Sequence, residues 1–240
     1  MFKLFQPYQN LFAVISTKHN GPMKLTKDLR NLENRKNFAA SQAINYQDIV
    51  SCCLQHSNRV SIVNNKFITE IENCDGLITN RENLFLSITV ADCAPIYFFD
   101  PENKVIALIH AGWRGLKNNI IINTIQLMKE VFNSQPKNIL VGVGPCLCVN
   151  CYEVQRNFIK NFAEYPEVFT NKNQRLFFDI KYIIKEKLME ENVLAKHIEF
   201  LPECTACSKN KYFSYRRDQY GCDLDNLQTQ MAIFGIKIKN

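Results

Sequence analysis

Apolar positions along the chain fall into short runs that predict more strands than helices. Runs rich in β-branched and aromatic residues, bounded by turn residues, predict strands at residues 11–16, 49–54, 60–63, 84–90, 96–99, 105–110, 139–143, 198–201 and 232–238. Helix-like runs predict helices over residues 33–43, 116–132, 153–162 and 180–190, and the second of these runs shows apolar residues at helical spacing. Because strands outnumber helices and do not alternate regularly with them, the pattern favours a mixed-sheet α+β fold over a doubly wound one.

Length and composition favour one globular domain over residues 1–240. The 240 residues are 46% hydrophobic, and no repeat, low-complexity tract or Gly/Ser/Pro linker divides them. No apolar run approaches the roughly 20 residues that a membrane-spanning helix needs. Polar residues such as Gln6, Gln9 and Asn10 interrupt what would have to be the core of a signal peptide. We therefore expect a cytoplasmic protein.

Charge and cysteine content narrow the classes of partner. The net charge of +6 comes from Lys and Arg residues scattered along the chain, which suits a small anionic ligand and not a nucleic-acid surface. The ten cysteines fit reduced thiols in a chain this long. Two pairs, Cys148 with Cys151 and Cys204 with Cys207, have metal-like spacing but lack a glycine knuckle. We favour unligated thiols there, with a four-thiolate zinc site as the alternative. For Cys52, Cys53, Cys74 and Cys222 we expect the role of buried small hydrophobes.

The segment ADCAPIYFFDPENKVIALIHAGWRG, residues 91–115, carries the strongest chemical signal. Cys93 opens one apolar run and His110 closes the next, and the Asp-Pro-Glu-Asn between the runs is a turn signal. In an antiparallel pair these two side chains would lie side by side. His56, which precedes another alternating run, is a third donor. Two imidazoles and one thiolate make a metal site with an open fourth position.

A glycine-bounded turn follows His110 and leads into the predicted helix from residue 116. Free backbone N–H groups at such a turn, together with the positive end of a helix, favour an anion. Arg114 could bind a phosphate or carboxylate in fork geometry. The alternative is a tight structural turn in which Arg114 makes an ion pair and Trp113 packs in the core.

Several blocks, in order along nearly the whole chain, resemble the laccase-domain family. The blocks are ENR at 33–35, QHSNRV at 55–60, DGLIT at 75–79, the segment 91–115, GVGPCLCVNCYEV at 142–154 and CTACSKNKYFSYRRD at 204–218. That family includes polyphenol-oxidase-like proteins, peptidoglycan editing factors and purine nucleoside enzymes. The resemblance implies an α/β/β/α layered sandwich with mixed sheets, and it places the family's metal ligands on His56, Cys93 and His110.

The resemblance also implies a function, which is a zinc enzyme acting on purine nucleosides. We expect phosphorolysis of adenosine, inosine or methylthioadenosine and deamination of adenosine, with copper as the alternative metal. Zinc held by this trio can activate water or polarise a leaving group. Arg114 would hold phosphate, with Arg59 and Arg216 in reserve. Asp92 would orient a ligand imidazole or carry a proton, and Cys93 and His110 would act in catalysis as well as in metal binding.

Two departures and three alternatives accompany this interpretation. The stretch 16–33 is shorter than the family's usual loop, and Cys148 stands where the family tends to have glycine. A multicopper laccase is excluded because four histidines cannot build its copper centres. A metal-free cysteine hydrolase cleaving an amide in a peptidoglycan precursor, with Cys93 as nucleophile and His110 as base, is the main alternative. A non-enzymatic nucleoside sensor is the other.

Overall fold

Two large β-sheets form the centre of the protein. The computed structural model describes residues 2–25, 28–219 and 227–238. The first sheet has the strand order β1-β14-β6-β2-β4, formed by β1 (Leu11–Ile15), β2 (Ile49–Cys53), β4 (Glu70–Glu72), β6 (Phe85–Val90) and β14 (Gln230–Ile236). The second has the order β13-β9-β7-β8-β5-β3, formed by β3 (Val60–Ile62), β5 (Gly76–Thr79), β7 (Ala94–Asp100), β8 (Val105–Ala111), β9 (Leu140–Val143) and β13 (Ile198–Phe200). Both sheets are mixed, because parallel and antiparallel pairs occur in each.

The described part of the chain also contains a small antiparallel sheet and four α-helices. The small sheet consists of β10 (Glu153–Val154), β11 (Phe169–Lys172) and β12 (Arg175–Phe178). The α-helices are α1 (Leu29–Ser41), α2 (Trp113–Lys117), α3 (Ile120–Phe132) and α4 (Ile180–Glu190). No helix among the described residues is both long enough and apolar enough to span a bilayer.

Alternating side chains of the central strands separate the layers. On β7, Ile96 and Phe98 pack towards α3 and α4, whereas Tyr97 and Phe99 pack into the core between the two large sheets. Burying a side chain of this size stabilises the fold by about 1.5–3 kcal/mol. On the far side, Phe38 of α1 packs against the outer face of the first sheet. The resulting order of layers is α/β/β/α, and the predicted mixed α+β fold is confirmed.

The strand predictions coincide with observed strands, and two of the helix predictions also hold. The helix predicted over 180–190 is α4. The one predicted over 33–43 is α1, which begins earlier because the Asp28 carboxylate caps it by accepting the N–H of Arg30 at 2.9 Å. The pattern missed the short strands β4, β5, β10, β11 and β12.

One helix prediction was correct only in part, and one was wrong. The stretch 116–132 is not one helix, because Asn119 takes a left-handed conformation with φ of 68° and separates α2 from α3. The stretch 153–162 holds the strand β10 and a 3₁₀ helix, Arg156–Asn161. Its apolar residues pack onto the small sheet, where Phe158 contacts the Phe178 ring at a centroid distance of 5.2 Å. Tertiary packing therefore overrode the helix-like sequence pattern of residues 153–162.

The second sheet brings three chain segments together at one end. β7 and β8 pair antiparallel with Pro95 opposite His110 and Ala94 opposite Ala111, as the turn between them predicts. β5 pairs with the other edge of β8, with Gly76 opposite Ile109. Cys93 and Asp75, each immediately before a strand, are thus carried to the same end of the sheet as His110.

Candidate metal centre

Three potential ligands converge where β7 begins and β8 ends. His56, Cys93 and His110 each offer one donor atom, and these atoms all lie within 4.8 Å of one another. The two imidazole rings have a centroid distance of 4.8 Å and an interplanar angle of 81°. His110 is buried, Cys93 is half-buried and His56 is exposed. The side chains that the sequence singled out are therefore neighbours, and one side of the group faces solvent.

The carboxylate of Asp75 organises this group of donors. Its Oδ1 accepts the backbone N–H of His56 at 2.9 Å and lies 2.9 Å from Nδ1 of His110. Its Oδ2 accepts the N–H of Ser57 at 2.7 Å, the Ser57 hydroxyl at 2.8 Å and the N–H of Gln55 at 3.1 Å. One buried carboxylate thus fixes both the loop that carries His56 and the ring of His110. It also makes Nε2 of His110 the nitrogen available to a metal.

The electrostatics favour a thiolate at Cys93. Burial by itself would raise the pKa of this thiol, but the adjacent His110 and His56 lower the pKa to about 6. Burial would likewise favour the neutral ring of His110, yet Cys93 and Asp75 together raise its pKa to about 10. Asp75 itself is desolvated, but its bonds to His110 and Ser57 lower its pKa to about 2. A thiolate is the form of cysteine that binds metals and acts as a nucleophile.

Gly112 keeps the space beside the donors open. A Cβ atom at this position would lie 2.9 Å from Sγ of Cys93 and 3.4 Å from Cδ2 of His56. Ordinary Cβ contacts are longer than the first of these distances, so any larger residue would push the thiol aside. The first glycine of the AGWRG turn is therefore explained by the close approach of the backbone to Cys93.

Asp92 supports the turn before Cys93 and does not orient a ligand imidazole. Its carboxylate accepts the hydroxyls of Thr205 at 2.5 Å and Ser214 at 3.0 Å, and the backbone N–H of Arg216 at 2.6 Å. These bonds hold Asp92 in a left-handed conformation, with φ of 84°. Burial raises its pKa, although the bonds from Thr205 and Arg216 partly offset this effect. The carboxylate that pairs with a ligand imidazole is that of Asp75.

The three arginines predicted to bind anions lie in different settings. Arg114 is exposed, with its guanidinium 4.4 Å from the centroid of the Trp113 ring. Arg59 is exposed and lies in the loop that carries His56. Arg216 is half-buried, and its guanidinium donates to the carbonyl of Glu153 at 2.9 Å. The helix after the glycine turn has only five residues, so its dipole is weaker than that of the predicted 17-residue helix.

Sequence reasoning missed Asp75 as part of the site. The signal was present, because Asp75 opens the DGLIT block and precedes a short apolar run in the same way that Cys93 does. The pairing of β5 with β8 could not be predicted, because the sequence pattern did not predict β5. As expected for small hydrophobes, Cys52 and Cys74 are buried, and Cys53 is half-buried. Cys222 lies outside the described residues.

Fold and site together define a class: a layered α+β protein with a thiolate and two imidazoles at one end of its central strand pair. The chain belongs to the family described as multi-copper polyphenol oxidoreductase laccase, whose profile matches residues 26–225. The resemblance seen in the sequence blocks is therefore confirmed.

Individual relatives agree with this assignment. The chain is 30% identical over 225 residues to a purine nucleoside phosphorylase of Rickettsia prowazekii, covering 91% of this chain and 89% of the relative. It is 26% identical over 203 residues to adenosine deaminase RL5 from an unknown prokaryotic organism, covering 79% and 77% of the two chains. The crystal structure of YlmD from Geobacillus stearothermophilus superposes with a TM-score of 0.87 at 26% identity, covering 97% of this chain and 94% of YlmD.

Proposed function

We propose that this chain is a zinc-dependent purine nucleoside enzyme that phosphorolyses adenosine, inosine or methylthioadenosine and deaminates adenosine. The observation that carries the proposal is the convergence of His56, Cys93 and His110 within 4.8 Å, in a chain with relatives named purine nucleoside phosphorylase and adenosine deaminase. Three protein donors with a side open to solvent are typical of a catalytic metal site and not of a structural one.

The donor set supports zinc as the metal. Thiolate and neutral imidazole are the ligands that zinc prefers, and Asp75 supplies the carboxylate partner that metal-binding histidines commonly have. Copper is the alternative metal, because one thiolate and two imidazoles also form copper sites. When bound, zinc supplies Lewis acidity by which water is activated or a leaving group is polarised.

The surrounding residues divide the remaining tasks. Asp75 holds the His110 ring in one orientation and fixes the loop of His56. Arg114 and Arg59, both exposed near the donors in sequence, are assigned to binding phosphate. We assign Arg216 a secondary role there, because its guanidinium already binds a backbone carbonyl. Asp92, with its raised pKa, is the group suited to carry a proton beside Cys93.

A cysteine hydrolase is the second candidate function. The lowered pKa of Cys93 beside His110 is the observation that favours it, because a thiolate next to an imidazole is also a nucleophile and base pair. The two functions differ in what they require of His56. A metal enzyme needs His56 as a ligand, whereas a hydrolase built on Cys93 and His110 does not.

The test combines metal analysis with product analysis. Purified protein is incubated with adenosine with and without phosphate, and zinc is measured by mass spectrometry of the same preparation. Phosphate-dependent release of adenine would indicate phosphorolysis, and formation of inosine would indicate deamination. His56→Ala should remove about one zinc per chain and abolish turnover. The matched control is His19→Ala, which changes an exposed histidine outside the donor group.

The result that would overturn the proposal is equally specific. If His56→Ala retains the zinc content and turnover of the wild-type protein, His56 is not a ligand. If zinc-depleted protein is inert on adenosine but cleaves an amide of a peptidoglycan precursor, and Cys93→Ser alone abolishes that cleavage, the cysteine hydrolase is the correct function.

A further inference from the structure

Four cysteines form a second cluster that shares no residue with the site described above. Cys148 immediately precedes the 3₁₀ turn Val149–Cys151, and Cys151 is its last residue. Cys204 and Cys207 lie in a loop that follows β13. These residues are more than 50 positions apart in sequence, yet their four sulfur atoms all lie within 4.8 Å of one another. The sheet topology brings the two loops together through an isolated bridge between Cys146 and Cys204.

The spacing of the sulfurs matches a tetrahedral metal site. Zinc–sulfur bonds of about 2.3 Å in a tetrahedron require sulfur–sulfur distances of about 3.8 Å. Sγ of Cys207 lies 3.9 Å from Sγ of Cys148 and 3.4 Å from Sγ of Cys151. A disulfide would need about 2.05 Å between one pair and would leave the other sulfurs without a reason to converge.

One backbone N–H group donates to a sulfur of the cluster. The N–H of Cys148 donates to Sγ of Cys204 at 3.2 Å, a bond that strengthens when the acceptor is a thiolate. Cys204 is buried, whereas Cys207 is exposed to solvent. A metal therefore has a route to the cluster from solvent, and all four donors are available to it.

We propose that Cys148, Cys151, Cys204 and Cys207 bind a structural zinc ion. Four protein ligands fill the tetrahedral coordination of zinc and leave no position for a substrate, which distinguishes this site from the three-donor site at His56, Cys93 and His110.

The zinc ion would clamp a loop that also supports the turn before Cys93. Thr205, between two of the ligands, donates its hydroxyl to Asp92 at 2.5 Å. The guanidinium of Arg217 binds the carbonyls of Thr205 at 2.9 Å, Ala206 at 2.7 Å and Tyr212 at 2.8 Å, so the loop is held from both sides. Loss of the metal should loosen Thr205 and, through it, the bonds that fix Asp92.

The experiment counts zinc in five proteins reconstituted under reducing conditions and freed of loosely bound metal. Wild-type protein should hold about two zinc ions per chain, and Cys207→Ser should hold about one. Cys53→Ser, which changes a half-buried cysteine outside the cluster, should retain two. His56→Ala should also lose one ion, but from the other site, and the combined His56→Ala and Cys207→Ser protein should hold none.

Cobalt substitution provides a measurement that does not depend on a cluster variant folding. In the His56→Ala protein, bound Co²⁺ should show strong thiolate-to-metal charge transfer and the intense visible bands of a tetrahedral four-thiolate site. The proposal is overturned if these bands are absent, or if Cys207→Ser and Cys53→Ser hold equal zinc. It is also overturned if intact-mass measurement of the wild-type protein finds disulfides among the four cysteines. None of these outcomes depends on the activity towards purine nucleosides.

Discussion

Replacing Asp75 by asparagine is the sharpest test of how the three-donor site is built. Five hydrogen atoms point at the two oxygens of Asp75, from the N–H groups of Gln55, His56 and Ser57, the Ser57 hydroxyl and the His110 ring. An amide keeps one of the two acceptor oxygens and turns an NH₂ group towards these donors. At least one buried donor would then lose its partner, and the partner charge of His110 would disappear.

Two magnitudes follow from this change. Loss of the carboxylate partner of a metal-bound histidine typically weakens metal binding by about 10- to 100-fold, and we expect Asp75→Asn to fall in that range. The pKa of Asp75 is lowered from 3.8 to about 2, and a depression of this size corresponds to about 2 kcal/mol of unfolding free energy. Since the folded-state pKa is the lower one, this contribution is complete only well above the unfolded value of 3.8, from about pH 5 upwards. It is lost as the pH falls towards 2.

The assay measures zinc affinity at neutral pH by competition with a chromophoric chelator. Only the zinc ion of the three-donor site is compared, which is the ion that His56→Ala removes. Asp100→Asn is the matched control, because Asp100 is also buried but bonds to Glu102 and Asn103 in the turn at the opposite end of β7. Asp100→Asn should lower stability and leave zinc affinity unchanged. Equal zinc affinity in the wild-type protein and both variants would refute the role given to Asp75. Denaturant unfolding of zinc-free protein between pH 7 and 2 would test the second magnitude.

Three further predictions concern packing and ionisation. Gly112→Ala should weaken zinc binding at least tenfold without unfolding the protein, because its Cβ would crowd Cys93; unchanged affinity in the chelator assay would contradict this steric argument. Arg35→Ala should lower the unfolding free energy by about 3 kcal/mol in urea, since the buried guanidinium donates to the Met23 carbonyl and the Ser51 hydroxyl; a loss below 1 kcal/mol would mean that these bonds matter little. In zinc-free protein, the rate of Cys93 alkylation by iodoacetamide should rise with pH with a midpoint of about 6. Cys53, whose pKa is raised by burial, should react only at higher pH. A midpoint near 9 for Cys93 would show that the imidazoles do not lower the pKa of its thiol.

The sequence identified His56, Cys93 and His110 because each lies close to a run of apolar or alternating residues. Such runs mark the ends of buried strands, and polar side chains at strand ends have few places to go except a shared edge of the sheet. Cys93 and His110 could be paired on the turn between their strands alone. His56 lies far from both in sequence; its position before another alternating run makes it the third donor, and the resemblance of its block to the family implies the same assignment.

The sequence could not assign Asp75 or the four-cysteine cluster their roles with equal force. The role of Asp75 depends on β5 pairing with β8, and β5 is a four-residue strand with too little periodicity to be recognised. The cluster depends on two loops meeting across more than 50 residues of chain. The sequence spacing of the two cysteine pairs is compatible with unligated thiols and with a four-thiolate zinc site. The positions of the four sulfur atoms favour the zinc site.

By itself, then, the sequence determined the mixed-sheet α+β fold class, the positions of its main strands and the chemical types gathered at one sheet end. These follow from local patterns of apolar residues, whose burial dominates the free energy of folding. Tertiary structure alone decided which carboxylate supports the histidines, where the helix after Gly112 breaks and which cysteines meet. Contacts of this kind depend on distances between segments remote in sequence, and a difference of about 1 Å separates a metal ligand from a bystander.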